Sequence, residues 1–178
     1  MSTDQAGPQL SEAPPIDWPW YGIGFVPAVK RFFKKYATFV GRASRGEFWW
    51  AYLFTAVVDV VLYAIVIGGV VSAATASSGS GAAPRLGAGI YVASSLLGLF
   101  ILATFIPYLA VTVRRLHDTG RSGFNVFLGF IPLVGGIILL IFLVSGTATA
   151  AEQYGPPTSQ PSTQGYAASG YGQPYPGA

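Results

Sequence analysis

Residues 48–74 read FWWAYLFTAVVDVVLYAIVIGGVVSAA, an apolar run of 27 residues with one charge, Asp59. About 20 apolar residues in a helix cross the hydrocarbon core of a bilayer. Two more runs reach that length. Residues 90–113 number 24 and residues 124–144 number 21, and neither run contains a charge. The third run contains Ile131-Pro132 and Gly135-Gly136. It is expected as a kinked crossing helix, with a re-entrant pair of half-helices as the alternative.

Composition agrees with a bilayer setting. Of 178 residues, 52% are hydrophobic and 10% are charged. Soluble domains carry about 25% charged residues, so a soluble globular enzyme is not expected. The chain has no Cys and one His. That removes disulfides, thiolate metal sites and thiol nucleophiles, and no metal or other cofactor is expected. The fold class expected is an all-α integral membrane protein. Three transmembrane helices follow an amphipathic interfacial helix, with four crossings or a re-entrant third segment left open.

The chain divides into three parts. Residues 1–24 are polar and Pro-rich and are expected to be disordered. Residues 25–145 form the membrane domain, with an interfacial helix over 25–40 and spans over 48–74, 90–113 and 124–144. Residues 146–178 are rich in Gly, Tyr, Pro and Gln and are expected to be a disordered tail, because they cannot bury enough apolar surface. Ala74-Thr75-Ala76 has a small-x-small form, but the apolar run before it is too long for a secretory h-region. The first span is read as an uncleaved signal anchor.

Positive charge sets the orientation. Lys30, Arg31, Lys34, Lys35, Arg42 and Arg45 precede the first span. Arg85 stands alone between spans one and two, and Arg114, Arg115 and Arg121 lie between spans two and three. Cytoplasmic loops carry the excess of Lys and Arg, so the N-terminus is expected in the cytoplasm. Three crossings would put the tail outside.

Residues 25–40 read FVPAVKRFFKKYATFV. Phe25, Val29, Phe32, Phe33, Tyr36, Phe39 and Val40 recur at three- and four-residue steps and fall within roughly 140° of a helical wheel. The four basic residues fall opposite. Such a helix lies in the headgroup layer. Gly41 is expected to stop it. Ser44-Arg45-Gly46-Glu47 then has the form of a capping box at the start of the first span.

Between spans two and three lies Arg114-Arg115-Leu116-His117-Asp118-Thr119-Gly120-Arg121-Ser122-Gly123. With Gly41–Trp49, the Pro107-x-x-Ala110 helix that leads into the loop, Pro132 and Tyr154-Gly155, it resembles the domain of unknown function 805 family. These are small bacterial inner-membrane proteins. The resemblance covers roughly residues 32–157. It implies a multi-span protein of the bacterial inner membrane and supplies no known reaction, cofactor or catalytic residue. Where family members often have Asn-Arg before the closing Tyr-Gly, this chain has Glu152-Gln153.

The loop is dense in anion-binding groups. Guanidinium forks suit phosphate, and Gly120 and Gly123 permit tight turns. The candidate anion- or lipid-binding residues are Arg114, Arg115, His117, Asp118, Arg121, Arg42 and Arg45. The other reading is that the Arg residues fix topology and Asp118 pairs with one of them. No catalytic residue is assigned, because His117 and Asp118 are sequence neighbours and do not face each other on a helix.

Asp59 lies about 16 Å along the helix from Phe48, near the bilayer centre. A carboxylate at that depth faces the bundle interior. It is expected near Thr104 and the Gly135-Gly136 backbone, as interhelical glue or as part of a proton or cation relay. Small residues at Ser94, Gly98 and Gly129 permit close helix contact.

The expected function is a non-enzymatic membrane component that binds anionic lipid or a membrane partner through the Arg-rich loop. A small transporter or channel subunit using Asp59 is the alternative, and an enzyme acting on a phosphorylated lipid is the third reading. The expected partners are membrane lipids, with a homo-oligomer or a larger membrane complex also open. Nucleic acid is not expected, because the basic residues all lie beside membrane segments.

Overall fold

A computed structural model describes residues 13–78 and 86–155, and among them every regular element is helical. Helix α1 covers Phe25–Lys34, α2 Arg45–Ser78, α3 Ala88–Asp118 and α4 Val134–Val144. Two 3₁₀ helices, Gly123–Phe130 and Thr149–Tyr154, flank α4.

The capping box forms. The Ser44 amide donates to Glu47 Oε2 at 3.0 Å and the Glu47 amide donates to Ser44 Oγ at 3.1 Å. This satisfies two of the orphan donors at the start of α2. Helices α2 and α3 pack antiparallel. The Ala43 amide donates to the Arg114 carbonyl at one end, while Gly69 lies against Ile90 near the other.

Both helices, of 34 and 31 residues, are long and apolar enough to span a membrane. Only 6% of the most apolar stretch of α2 and 28% of that of α3 is buried in the chain. A core helix of a soluble protein would be mostly covered. Here the uncovered face carries residues such as Val60, Leu99, Leu102 and Phe105, which suits hydrocarbon rather than water.

The packed core sits at one end, where α2 begins and α3 ends. Phe32, Ala43, Phe48, Ala51, Val111, Leu116 and Leu143 form it. The buried charges gather around the same core, which makes this end the polar pole of the molecule.

The third apolar segment is not a single kinked helix. The chain runs as a 3₁₀ helix from Gly123 to Phe130, breaks at Ile131-Pro132-Leu133, and continues as α4. Pro132 has no amide proton to donate. Leu133 takes a positive φ of 62°, and the Val134 amide bonds the Pro132 carbonyl in a tight γ-turn. Both legs return to the same pole. Gly123 sits against Val113 and His117, and Arg115 bonds the carbonyls of Leu143 and Ser145. Each leg is about 16 Å long, half of a ~30 Å hydrocarbon core. The Gly135-Gly136 backbone serves this hairpin turn and does not line the cavity around Asp59.

Two boundary expectations also change. Helix α1 ends at Lys34, six residues short of the expected 40. Gly41, with a φ of 86°, then turns the chain so that Arg42 and Ala43 lie along the end of α3. Helix α1 buries Ala28, Arg31 and Phe32, the capping Lys35 is buried after it, and Lys30, Lys34, Phe25 and Phe33 stay outside. Half of the expected outer basic face is therefore turned inward.

Residues 13–24 and 146–155, placed in disordered termini by composition, pack on the polar pole. The first stretch is held because Arg31 donates to the carbonyls of Pro14, Pro15, Ile16 and Trp18. Proline-rich chain has carbonyls in excess of amide donors, and a guanidinium supplies the missing protons. The remainder of those two expectations, over 1–12 and 156–178, lies outside the described residues.

The hairpin turn gives a paired test. A Cβ at Gly135 would fall 1.9 Å from the Leu128 carbonyl oxygen, whereas one at Gly136 meets nothing within 4 Å. Gly135→Ala is expected to lower the thermal midpoint of the purified protein, and Gly136→Ala to leave it unchanged or slightly higher. Equal midpoints for the two variants would contradict the hairpin.

Candidate functional site

Asp118, in the last turn of α3, has no solvent exposure. Its Oδ1 accepts from Arg42 Nε at 3.0 Å and from the Tyr21 hydroxyl at 2.7 Å. Its Oδ2 accepts from Arg115 and from Thr147 Oγ1 at 2.8 Å. Both guanidiniums are as buried as the carboxylate. They donate further: Arg42 to the Gly155 carbonyl and the Tyr21 hydroxyl, and Arg115 to the carbonyls of Leu143 and Ser145. One carboxylate thus joins the N-terminal segment, the start of α2, the end of α3 and the segment after α4.

A second buried pair lies beside it. Arg31 of α1 donates to Glu47 Oε1 at 3.2 Å, while the other Glu47 oxygen holds the cap of α2. Arg114 is buried and its Nε reaches the Ala110 carbonyl at 3.3 Å. His117 Nδ1 lies 3.1 Å from the Gly41 carbonyl, and its ring stacks on Tyr154 with centroids 4.1 Å apart. Arg121 sits 3.8 Å over the Phe142 ring.

The structure therefore separates the candidate residues. Arg42, Arg114, Arg115 and Asp118 are committed to internal contacts. Arg45 is exposed and makes no hydrogen bond or ion pair among the described residues. It lines a cavity of about 360 Å³ with Tyr21, Ser44 and Thr147. Asp59 and Thr104 line a second cavity, between α2 and α3, together with Tyr52, Thr55 and Tyr108. Among the described residues no group of three or more His, Cys, Asp or Glu could hold a metal ion.

Sequence reasoning missed several participants. Tyr21 follows Trp18 and Trp20 in a cluster whose residue types suit a membrane–water interface, yet its hydroxyl donates to Asp118. Thr147 carries no signal in the sequence. Arg31 and Lys35 read as solvated charges because the helical wheel does not show what packs on it. Burial pushes the Tyr21 hydroxyl up to about 12, and the neighbouring Asp118 carboxylate acts in the same direction. Burial lowers the Lys35 ammonium to about 8.

The family model described as a protein of unknown function, DUF805, matches residues 36–156. The inner membrane protein YhaI of Escherichia coli strain K12 is 34% identical over 122 residues, 68% of this chain and 86% of that protein. The inner membrane protein YhaH of the same strain is 31% identical over 123 residues, 69% of this chain and 88% of that protein. No solved structure matches the chain.

Two outcomes are expected. Asp118→Asn leaves two buried guanidiniums without a counter-charge and should cost about 3–5 kcal/mol of stability, seen as loss of folded protein in detergent. His117→Phe keeps the stack on Tyr154 and should cost far less. The second outcome concerns pH. Lys35 titrates near 8 when folded and near 10.5 when unfolded, so the unfolded chain binds more protons between those values. Stability then rises with pH across that window. The thermal midpoint should increase from pH 7 to 9.5 in the native chain, and Lys35→Met should remove the increase. Above pH 10 the raised Tyr21 acts in the opposite sense, favouring the unfolded chain.

Proposed function

The chain belongs to the DUF805 family, and from that premise we propose that it is an inner-membrane component that holds anionic lipid headgroups at its cytoplasmic polar pole. It crosses the bilayer twice, through α2 and α3, and the segment over 123–145 enters and leaves on the cytoplasmic side. Both termini then lie in the cytoplasm. The charge pattern supports this orientation, since nine of the ten Lys and Arg residues precede or begin α2, or lie at or just beyond the end of α3. The tenth, Arg85, lies between α2 and α3 in the sequence.

The observation that carries the lipid reading is the division of cations at the pole. The buried Arg31, Arg42 and Arg115 are paired with Asp118, Glu47 and carbonyls, and the buried Arg114 turns its Nε to the Ala110 carbonyl. Arg45, on the cavity at the start of α2, and Lys30 and Lys34, on the outer face of α1, are left for an external anion. The Arg45 guanidinium, exposed on this cavity and without a partner among the described residues, suits a phosphate. Each cation near anionic lipid adds about 1 kcal/mol.

Two measurements test this. A dual reporter fused after Ala178 should give the cytoplasmic signal, and an external signal would restore a third crossing. Lipid mass analysis of the purified protein should show anionic phospholipid enriched over the bulk membrane. The triple variant Arg45→Gln, Lys30→Gln, Lys34→Gln should lose most of that enrichment at unchanged fold. Retention at the native level would sink the headgroup reading.

A further inference from the structure

The cavity between α2 and α3 has a volume of about 310 Å³ and lies well away from the polar pole's anion-facing residues. Tyr52, Thr55 and Asp59 line it from α2, and Thr104, Phe105 and Tyr108 from α3. We propose that it binds a lipophilic ammonium cation, with Asp59 as the counter-charge.

Four observations meet here. Asp59 Oδ1 is buried and has no hydrogen-bond partner. A carboxylate at membrane depth is costly unless something offsets it. No Lys, Arg or His lines the cavity to do so. The hydroxyl protons nearby are already spent: Thr55 Oγ1 donates to the Ala51 and Tyr52 carbonyls at 3.2 and 3.0 Å, and Thr104 Oγ1 donates to the Phe100 carbonyl at 2.8 Å. Both hydroxyls are therefore left presenting lone pairs. The polar side chains other than the two tyrosines act as acceptors, which calls for a positively charged or proton-donating guest.

The size and walls of the cavity select the kind of cation. A metal ion such as Ca²⁺ takes six to eight oxygens at about 2.3–2.6 Å. One carboxylate and two threonine oxygens around this volume fall short of that. Aromatic walls attract alkylammonium groups through the ring quadrupole, and three aromatic residues line this cavity. The rim opens on the apolar face of the helix pair, where Tyr52, Ile101 and Phe105 are 45%, 48% and 60% exposed. A guest entering there passes through hydrocarbon, so it must carry apolar substituents.

The test uses the full chain in lipid nanodiscs with radiolabelled benzyltriethylammonium as the probe. Saturable binding of one probe per chain is expected. Asp59→Asn should weaken it by about tenfold or more. Ala56→Leu keeps the carboxylate but fills the cavity wall, and should weaken binding to a similar extent, so it decides the matter if Asp59→Asn fails to fold. Asp17→Asn, outside the cavity, should bind as the native chain does. The absence of saturable binding by the native chain would overturn the proposal. So would native affinity in either cavity variant, or displacement of the probe by equimolar sodium, which would make this a metal-ion site. The polar-pole variants leave this cavity intact, so the lipid reading and this one fail separately.

Discussion

Two buried guanidiniums and two hydroxyls converge on one carboxylate, Asp118. Everything at the polar pole depends on that convergence. A buried ion pair contributes little net stability when its desolvation is counted, but removing one partner is severe. Its effect here is geometric. Arg42 can reach Asp118 only if Gly41 turns the chain away from α1. Arg115 can reach the Leu143 and Ser145 carbonyls only if the segment after α3 comes back. The network therefore fixes where four chain segments lie relative to one another.

The return of that segment follows from local chemistry as well. Pro132 cannot donate to a helical ladder, and Gly135 admits the Leu128 carbonyl where a side chain would clash. The result is a hairpin of two short apolar legs. The long helices α2 and α3 are left with an apolar face that is uncovered among the described residues, and hydrocarbon is the medium that suits it. The polar groups that face inward along this pair, Asp59 and Thr104, meet across a cavity instead of a partner side chain.

Periodicity and capping made much of the fold legible. The two long apolar runs became α2 and α3, and the Ser44–Glu47 spacing became the cap of α2. The start of α1 at Phe25 followed from its amphipathic repeat. Its end did not, because the stop at Lys34 comes from tertiary demands on Arg42 and Ala43. The Arg-His-Asp loop was legible as a special place. Its internal division was not, because a guanidinium paired inside the protein and one facing outward are identical in sequence. Tyr21 and Thr147, drawn in from opposite ends of the chain, share no local pattern with Asp118.

The sequence by itself determined that the chain is helical, that its longest runs suit a bilayer, and that charge concentrates around their ends. Those properties depend on composition and on spacing within one helix. The tertiary structure alone decided which cations are saturated, which way the third apolar segment runs, and that Asp59 is left without a hydrogen-bond partner. Each of these depends on which distant carbonyl, carboxylate or hydroxyl reaches a given side chain, and that is a property of packing between segments.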